Sequence, residues 1–128
     1  MQNAVVQNAE ALLGQVFKFI EANYHQSIGL NDVAQAVGYS PAYLTDLVRR
    51  QTGQPVHDWI IERRLTEVCR LLCETNHSAS RIAEITGYQT TGYFFRQFRQ
   101  RHGTTPQAWR KIQQTKMQSS DLDRAANA

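Results

Sequence analysis

Residues 82–110 read IAEITGYQTTGYFFRQFRQRHGTTPQAWR. Ile82, Ala83 and Ile85 fall at helical spacing and the pattern stops at Gly87. Tyr93, Phe94 and Phe98 then mark a second helix, which Gly103 ends. Helix, tight turn, helix is the reading of this stretch. The alanine lets two helices approach closely. The glycine suits a residue leaving a helix at positive φ, a conformation that costs a side chain with a Cβ about 1 kcal/mol or more.

Upstream the chain repeats itself. Val33-Ala34 and Gly38-Tyr39 match Ile82-Ala83 and Gly87-Tyr88 at an offset of 49. Past that turn the second copy has one extra residue and the offset becomes 50, so that Leu44, Val48, Arg49, Gly53 and Trp59 meet Phe94, Phe98, Arg99, Gly103 and Trp109. Two helix-turn-helix units, each with arginine on its second helix, point to DNA. Helical hairpins packed on a protein partner are the competing reading.

The remaining pattern is helical too, and no stretch alternates with the period of a strand. Leu12, Leu13, Val16, Phe17, Ile20 and Tyr24 predict an amphipathic helix from about residue 9 to 24. Ser40 is placed to cap the helix that Pro41 opens. Trp59, Ile60, Leu65, Val68, Leu71 and Leu72 predict a long helix over 56–74, and a short one runs from Pro106 to Ile112. The expected organisation is a first unit over 9–54, a linker helix over 55–75, a second unit over 76–112 and a flexible tail over 113–128.

Charge is distributed unevenly along these parts. Residues 1–55 carry three basic and four acidic side chains, whereas 56–128 carry eleven and seven. Between Glu84 and Asp121 there is no acidic residue, while Arg96, Arg99, Arg101, Arg110, Lys111 and Lys116 all lie there. A one-signed stretch attracts a polyanion. No apolar run approaches the roughly 18–20 residues that span a bilayer. The start of the chain lacks the basic and apolar regions of a secretory signal. Two cysteines, Cys69 and Cys73, suit a reducing compartment. A cytoplasmic protein with no membrane partner is therefore expected.

Catalytic and metal chemistry find little support. Cys69, Cys73 and His77 are spaced at i, i+4 and i+8, but His77 falls past the expected helix end and no second ligand pair follows. His25, His57 and His102 pair with no nucleophile, and there is no glycine-rich phosphate loop. The expectation is a protein that is not an enzyme and needs no cofactor or metal. Trp59 and Trp109 read as core anchors.

Three stretches carry a family resemblance: AVGYSPAYLTDLVRRQTG over 36–53, WIIERRLTEVCRLL over 59–72, and IAEITGYQTTGYFFRQFRQRHGTTPQAWR over 82–110. Together they resemble the DNA-binding domain of the AraC/XylS transcription regulators, and the likeness covers about residues 10–112. It implies an all-α fold of seven helices, with two homeodomain-like helix-turn-helix subdomains joined by a long linker helix. It also implies a monomer on double-stranded DNA, activation of transcription through RNA polymerase, and an N-terminal sensor domain if this chain is part of a longer regulator.

A recognition helix turns its apolar side home and the rest toward the major groove. In the first unit Leu44, Leu47 and Val48 face home, leaving Ala42, Tyr43, Thr45, Asp46, Arg49 and Arg50 as DNA candidates. In the second, Phe94 and Phe98 face home. The candidates there are Thr90, Thr91, Gly92, Tyr93, Phe95, Arg96 and Arg99. The resemblance places Arg96 at a base-contacting position, where a guanidinium can pair with guanine O6 and N7. Arg49, Arg50 and Arg99 come later on their helices and suit phosphates. Two residues depart from the family pattern: Asp46 stands where many relatives have arginine, and Gly92 where many have a longer side chain. A carboxylate at 46 suits either cytosine N4 or a local network.

Overall fold

Gly38 leaves its helix at φ 81° and Gly87 sits at φ 97°. Each allows the chain to reverse into the next helix where a Cβ would be strained. The turns are closed alike, because the amide of Tyr39 donates to Ala34 O and that of Tyr88 to Ala83 O. The computed structural model describes the backbone of residues 2–126 and the side chains of residues 8–120. It contains seven helices and, among the described residues, no strand.

These are α1 (Gln2–Asn23), α2 (Leu30–Val37), α3 (Pro41–Thr52), α4 (Val56–Glu74), α5 (Ala79–Ile85), α6 (Thr91–His102) and α7 (Pro106–Ala126). Both ends outrun the sequence expectation: α1 starts at Gln2 rather than near residue 9, and α7 continues to Ala126 where a short helix and a tail were expected past Ile112. From 113 to 120 the helix is mostly exposed, so no apolar period marks it. Residues 113–126 contain neither proline nor glycine to stop it.

The chain divides into two compact units, and the boundary falls inside α4, between Leu65 and Thr66. The sequence reading treated α4 as a spacer. Its first part instead supplies Val56, Ile60, Ile61 and Leu65 as buried residues of the first unit, and its second part gives Val68, Leu71 and Leu72 to the second.

The first unit packs α1, α2, α3 and the start of α4 round Leu12, Val16, Ile20, Val33, Ala34, Leu44, Leu47, Val48, Val56 and Ile60. Trp59 lies edge-on to Phe17 at 5.1 Å, and its Nε1 donates to Thr52 Oγ1 at 2.9 Å. Arg64, only 7% exposed, donates from Nε to Tyr24 O and from Nη2 to Gln26 O, each at 2.8 Å. It thereby supplies a donor to the Tyr24 carbonyl just past the end of α1, and a second donor to the Gln26 carbonyl, which also accepts from Ile28 N. Arg63 holds Glu21 through Nε at 2.5 Å and covers the Tyr24 ring at 4.3 Å. That pair keeps the Glu21 carboxyl below its usual pKa, by hydrogen bonding first and charge second.

The second unit is built on aromatic rings. Phe94 and Phe98 are fully buried, and Tyr88 lies 5.2 Å from Phe94. His102 packs 4.5 Å from the Phe98 ring and 5.9 Å from Trp109, with Cys69 Sγ 3.5 Å from its Nε2. Burial, and then the charge of Arg101, lowers the His102 pKa below 6.5. Burial raises the Cys69 thiol to about 11, with a smaller push from Cys73. Arg110 repeats the part Arg64 plays: its Nε donates to Leu72 O at 2.9 Å and its Nη2 to Thr75 O at 3.2 Å, at the end of α4.

Candidate nucleic-acid interface

Helices α3 and α6 are the second helices of the two units, and both are capped as recognition helices should be. Ser40 Oγ accepts from Tyr43 N, and Thr90 Oγ1 accepts from Tyr93 N, each at 3.2 Å. Gly53 and Gly103 end them in left-handed conformation. Each helix has basic residues in its last turn, where they also favour the helix dipole.

On α3, Leu44, Leu47 and Val48 are buried, as the period requires. Ala42, Tyr43, Asp46, Arg49 and Arg50 are exposed and Thr45 is half-buried. Asp46 Oδ2 lies 3.0 Å from Arg50 Nη2, so the carboxylate joins a local network on the helix surface. On α6, Thr91, Gly92, Arg96 and Arg99 are exposed. Tyr93 and Phe95 are half-buried, Tyr93 at 6.1 Å from Tyr88 and Phe95 at 5.5 Å from Phe94. Thr90 precedes the helix as its cap. Arg49, Arg96 and Arg99 form no ion pair among the described residues, which leaves three guanidinium groups free for an anionic ligand.

The basic stretch of the sequence is only partly a surface. Arg110, one of the charges of that stretch, is tied to backbone carbonyls, whereas the candidate arginines Arg96 and Arg99 are exposed. Tyr39 was absent from the DNA candidates, yet it is 48% exposed and stacks on Tyr43 with ring centroids 5.2 Å apart and planes at 21°. The signal in the sequence is the turn length. Tyr88, its repeat partner, is followed by the extra residue and is buried. Gly92 is required neither by φ nor by space, since a Cβ there would meet nothing within 4 Å.

No helix among the described residues is long and apolar enough to cross a membrane. A family model described as a helix-turn-helix domain matches residues 33–112. The chain is 31% identical over 102 residues to the regulatory protein PocR of Salmonella typhimurium, covering 80% of this chain and 34% of that protein. It is 30% identical over 118 residues to the melibiose operon regulatory protein of Escherichia coli, covering 92% and 39%. The chain thus spans little more than a third of these relatives. Among solved structures it resembles a transcriptional regulator from Chromobacterium violaceum, described as containing an AraC-type DNA-binding domain. The TM-score is 0.74 at 25% identity, over 82% of this chain and 94% of that one. The chain belongs to the AraC/XylS-type helix-turn-helix family, whose members are DNA-binding transcription regulators and not enzymes.

Proposed function

We propose that this chain reads an asymmetric duplex site with α3 and α6 in successive major grooves, and that it activates transcription by engaging RNA polymerase. The observation that carries the DNA part is the pair of capped helices presenting Arg49, Arg96 and Arg99 without ion-pair partners. Free, exposed guanidinium groups gain most where phosphate or guanine supplies the missing acceptors. The units repeat in tandem within one chain, so no two-fold symmetry is imposed on the site. Helix α4 has 19 residues. At roughly 1.5 Å each it is about 28 Å long, close to the roughly 34 Å of one turn of DNA. The expected role of Arg96 is base reading, and that of Arg49, Arg50 and Arg99 is phosphate contact.

The test is selection from random duplexes followed by salt titration. Log affinity should fall with log salt at about −0.9 per phosphate neutralised. Arg96→Ala should relax preference at one or two base pairs at a cost of roughly 1–3 kcal/mol, while Arg99→Ala weakens all sequences alike. A flat salt profile, or no duplex retained at low salt, would turn the reading into a helical protein-interaction module.

A further inference from the structure

The two units carry tyrosines at matching places, Tyr39 and Tyr43 in the first and Tyr88 and Tyr93 in the second. In the second unit Tyr88 is 7% exposed and packs on Phe94. In the first, Tyr39 and Tyr43 stand 48% and 47% exposed, stacked on each other, and neither hydroxyl is engaged by another described residue. Two large rings held side by side at the surface leave apolar area in water, which the fold does not require: Leu44, Leu47 and Val48 already fill the core beneath α3.

We propose that Tyr39 and Tyr43 form an apolar reading head for thymine, in which Tyr43 meets the 5-methyl group in the major groove and Tyr39 positions its ring. The proposal rests on the DNA-binding reading and names what the first unit recognises. Tyr43 is the third residue of α3, in the turn that Ser40 caps. The N-terminal turn of a recognition helix is the part that meets base edges. There the major groove displays hydrogen-bonding groups and one apolar group, the thymine methyl.

The arginines of α3, Arg49 and Arg50, lie in its last turn, away from the end that meets base edges. Asp46 and Arg50 pair with each other, and Thr45 is half-buried. What remains toward the start of the helix is Ala42, Tyr43 and the ring of Tyr39, all exposed and apolar in character. Stacking on Tyr39 holds the Tyr43 ring in one orientation before DNA arrives, so less side-chain entropy is lost on docking. Tyr39 is therefore a positioning residue, and Tyr43 is the one that touches the base.

The experiment uses the full chain and the duplex recovered by selection. Thymines are replaced by deoxyuridine, which lacks the methyl, in one half of the site at a time. Wild type should lose about three- to tenfold in affinity for one half only. Tyr43→Ala and Tyr39→Ala should bind the thymine duplex more weakly by a similar factor and become indifferent to deoxyuridine, whereas Tyr43→Phe retains the discrimination. Circular dichroism checks that the variants are folded. Wild type indifferent to deoxyuridine in both halves would overturn the proposal, as would Tyr39→Ala discriminating like wild type; in either case salt-sensitive duplex binding still stands. If no duplex binds at any salt, the DNA-binding reading falls first and the exposed pair belongs to a protein contact.

Discussion

Beneath its second helix the first unit buries aliphatic side chains and keeps two aromatic rings outside, whereas the second folds its rings inward. Leu44 and Val48 occupy the places of Phe94 and Phe98, and Tyr39 is exposed where Tyr88 is buried. One residue accounts for much of this. Gln89 lengthens the second turn, which gives Tyr88 the slack to lie on Phe94. Without it, Tyr39 passes directly to the cap Ser40 and stays at the surface. The same backbone plan thus yields one unit with aromatic rings beneath its second helix and one with aliphatic side chains there and two aromatic rings at the surface.

The comparison breaks most visibly in the cores. Phe98→Ala should cost about 3–5 kcal/mol, because a fully buried ring is lost and its neighbours Phe94, His102 and Trp109 cannot close the gap. The equivalent Val48→Ala removes far less volume and should cost clearly less. Urea unfolding of Trp59→Phe chains, in which Trp109 alone reports the second unit, measures the first case. Trp109→Phe chains report the second case through Trp59, which sits against Phe17. Equal losses would mean that the aromatic core contributes no more than the aliphatic one.

Two arginines bound to backbone carbonyls sharpen what the units share. Arg64 and Arg110 each bind carbonyls at the end of the helix that precedes their unit's helix-turn-helix, α1 and α4. Removing Arg64 leaves two carbonyls without their charged donor, so Arg64→Ala should lose roughly 1.5–3 kcal/mol of stability. Arg110 is less buried and should lose about half as much. Neither change should alter the salt slope of DNA binding in chains that remain folded. A slope reduced by about one unit would add that arginine to the phosphate contacts.

Much of this was legible in the sequence. The repeat located both turns, and the periods of Leu44, Leu47 and Val48 and of Phe94 and Phe98 picked out the buried face, while Thr45, Tyr93 and Phe95 on the other side are half-buried. The serine cap and the terminal glycines marked the helix ends because they act locally, within one turn of backbone. Other features depend on contacts that are distant in sequence. Arg110 looked like one more charge in a basic run, and only its approach to Leu72 and Thr75, more than thirty residues away, gives it another role. Tyr39 and Tyr88 look alike for the same reason: exposure is a property of packing. The helical continuation of α7 carries no apolar stripe to announce it.

Acid separates the units again, with smaller effects. His102 has a lowered pKa because burial disfavours its charged form, so the unfolded chain binds that proton more readily. The stability this group contributes is present above 6.5, the unfolded value, and is lost as pH falls from there through the folded value. Glu21 also has a lowered pKa, but its cause is the ion pair with Arg63, so its contribution is present above 4.5 and is lost below. The second unit should therefore start to weaken at higher pH than the first. Fluorescence melts of the single-tryptophan chains across this range check the order, and His102→Gln should remove the loss of stability that sets in below pH 6.5. A loss that persists in His102→Gln would assign it to another group.

The smallest effect concerns Gly92, which occupies the place of Ala42 in the first unit. It lies in the first turn of α6 with an ordinary φ, and an added Cβ would meet nothing within 4 Å. Nothing inside the protein therefore asks for glycine, whose backbone freedom costs a helix roughly 0.5–1 kcal/mol relative to alanine. Near the helix start the lower end of that range applies, so Gly92→Ala should stabilise the second unit by about 0.5 kcal/mol. If the bare backbone at this turn lies against DNA, the added methyl occupies that space and weakens duplex binding. Ala42→Gly should destabilise the first unit without a matching gain in affinity, since Tyr43 and Tyr39 already stand at that surface. The expected outcome for Gly92→Ala is thus a protein that is more stable and binds more weakly, read by thermal melting and by titration on the selected duplex. A more stable variant with unchanged affinity would show that DNA does not approach α6 at Gly92, and would shift the weight of recognition on this helix to Arg96.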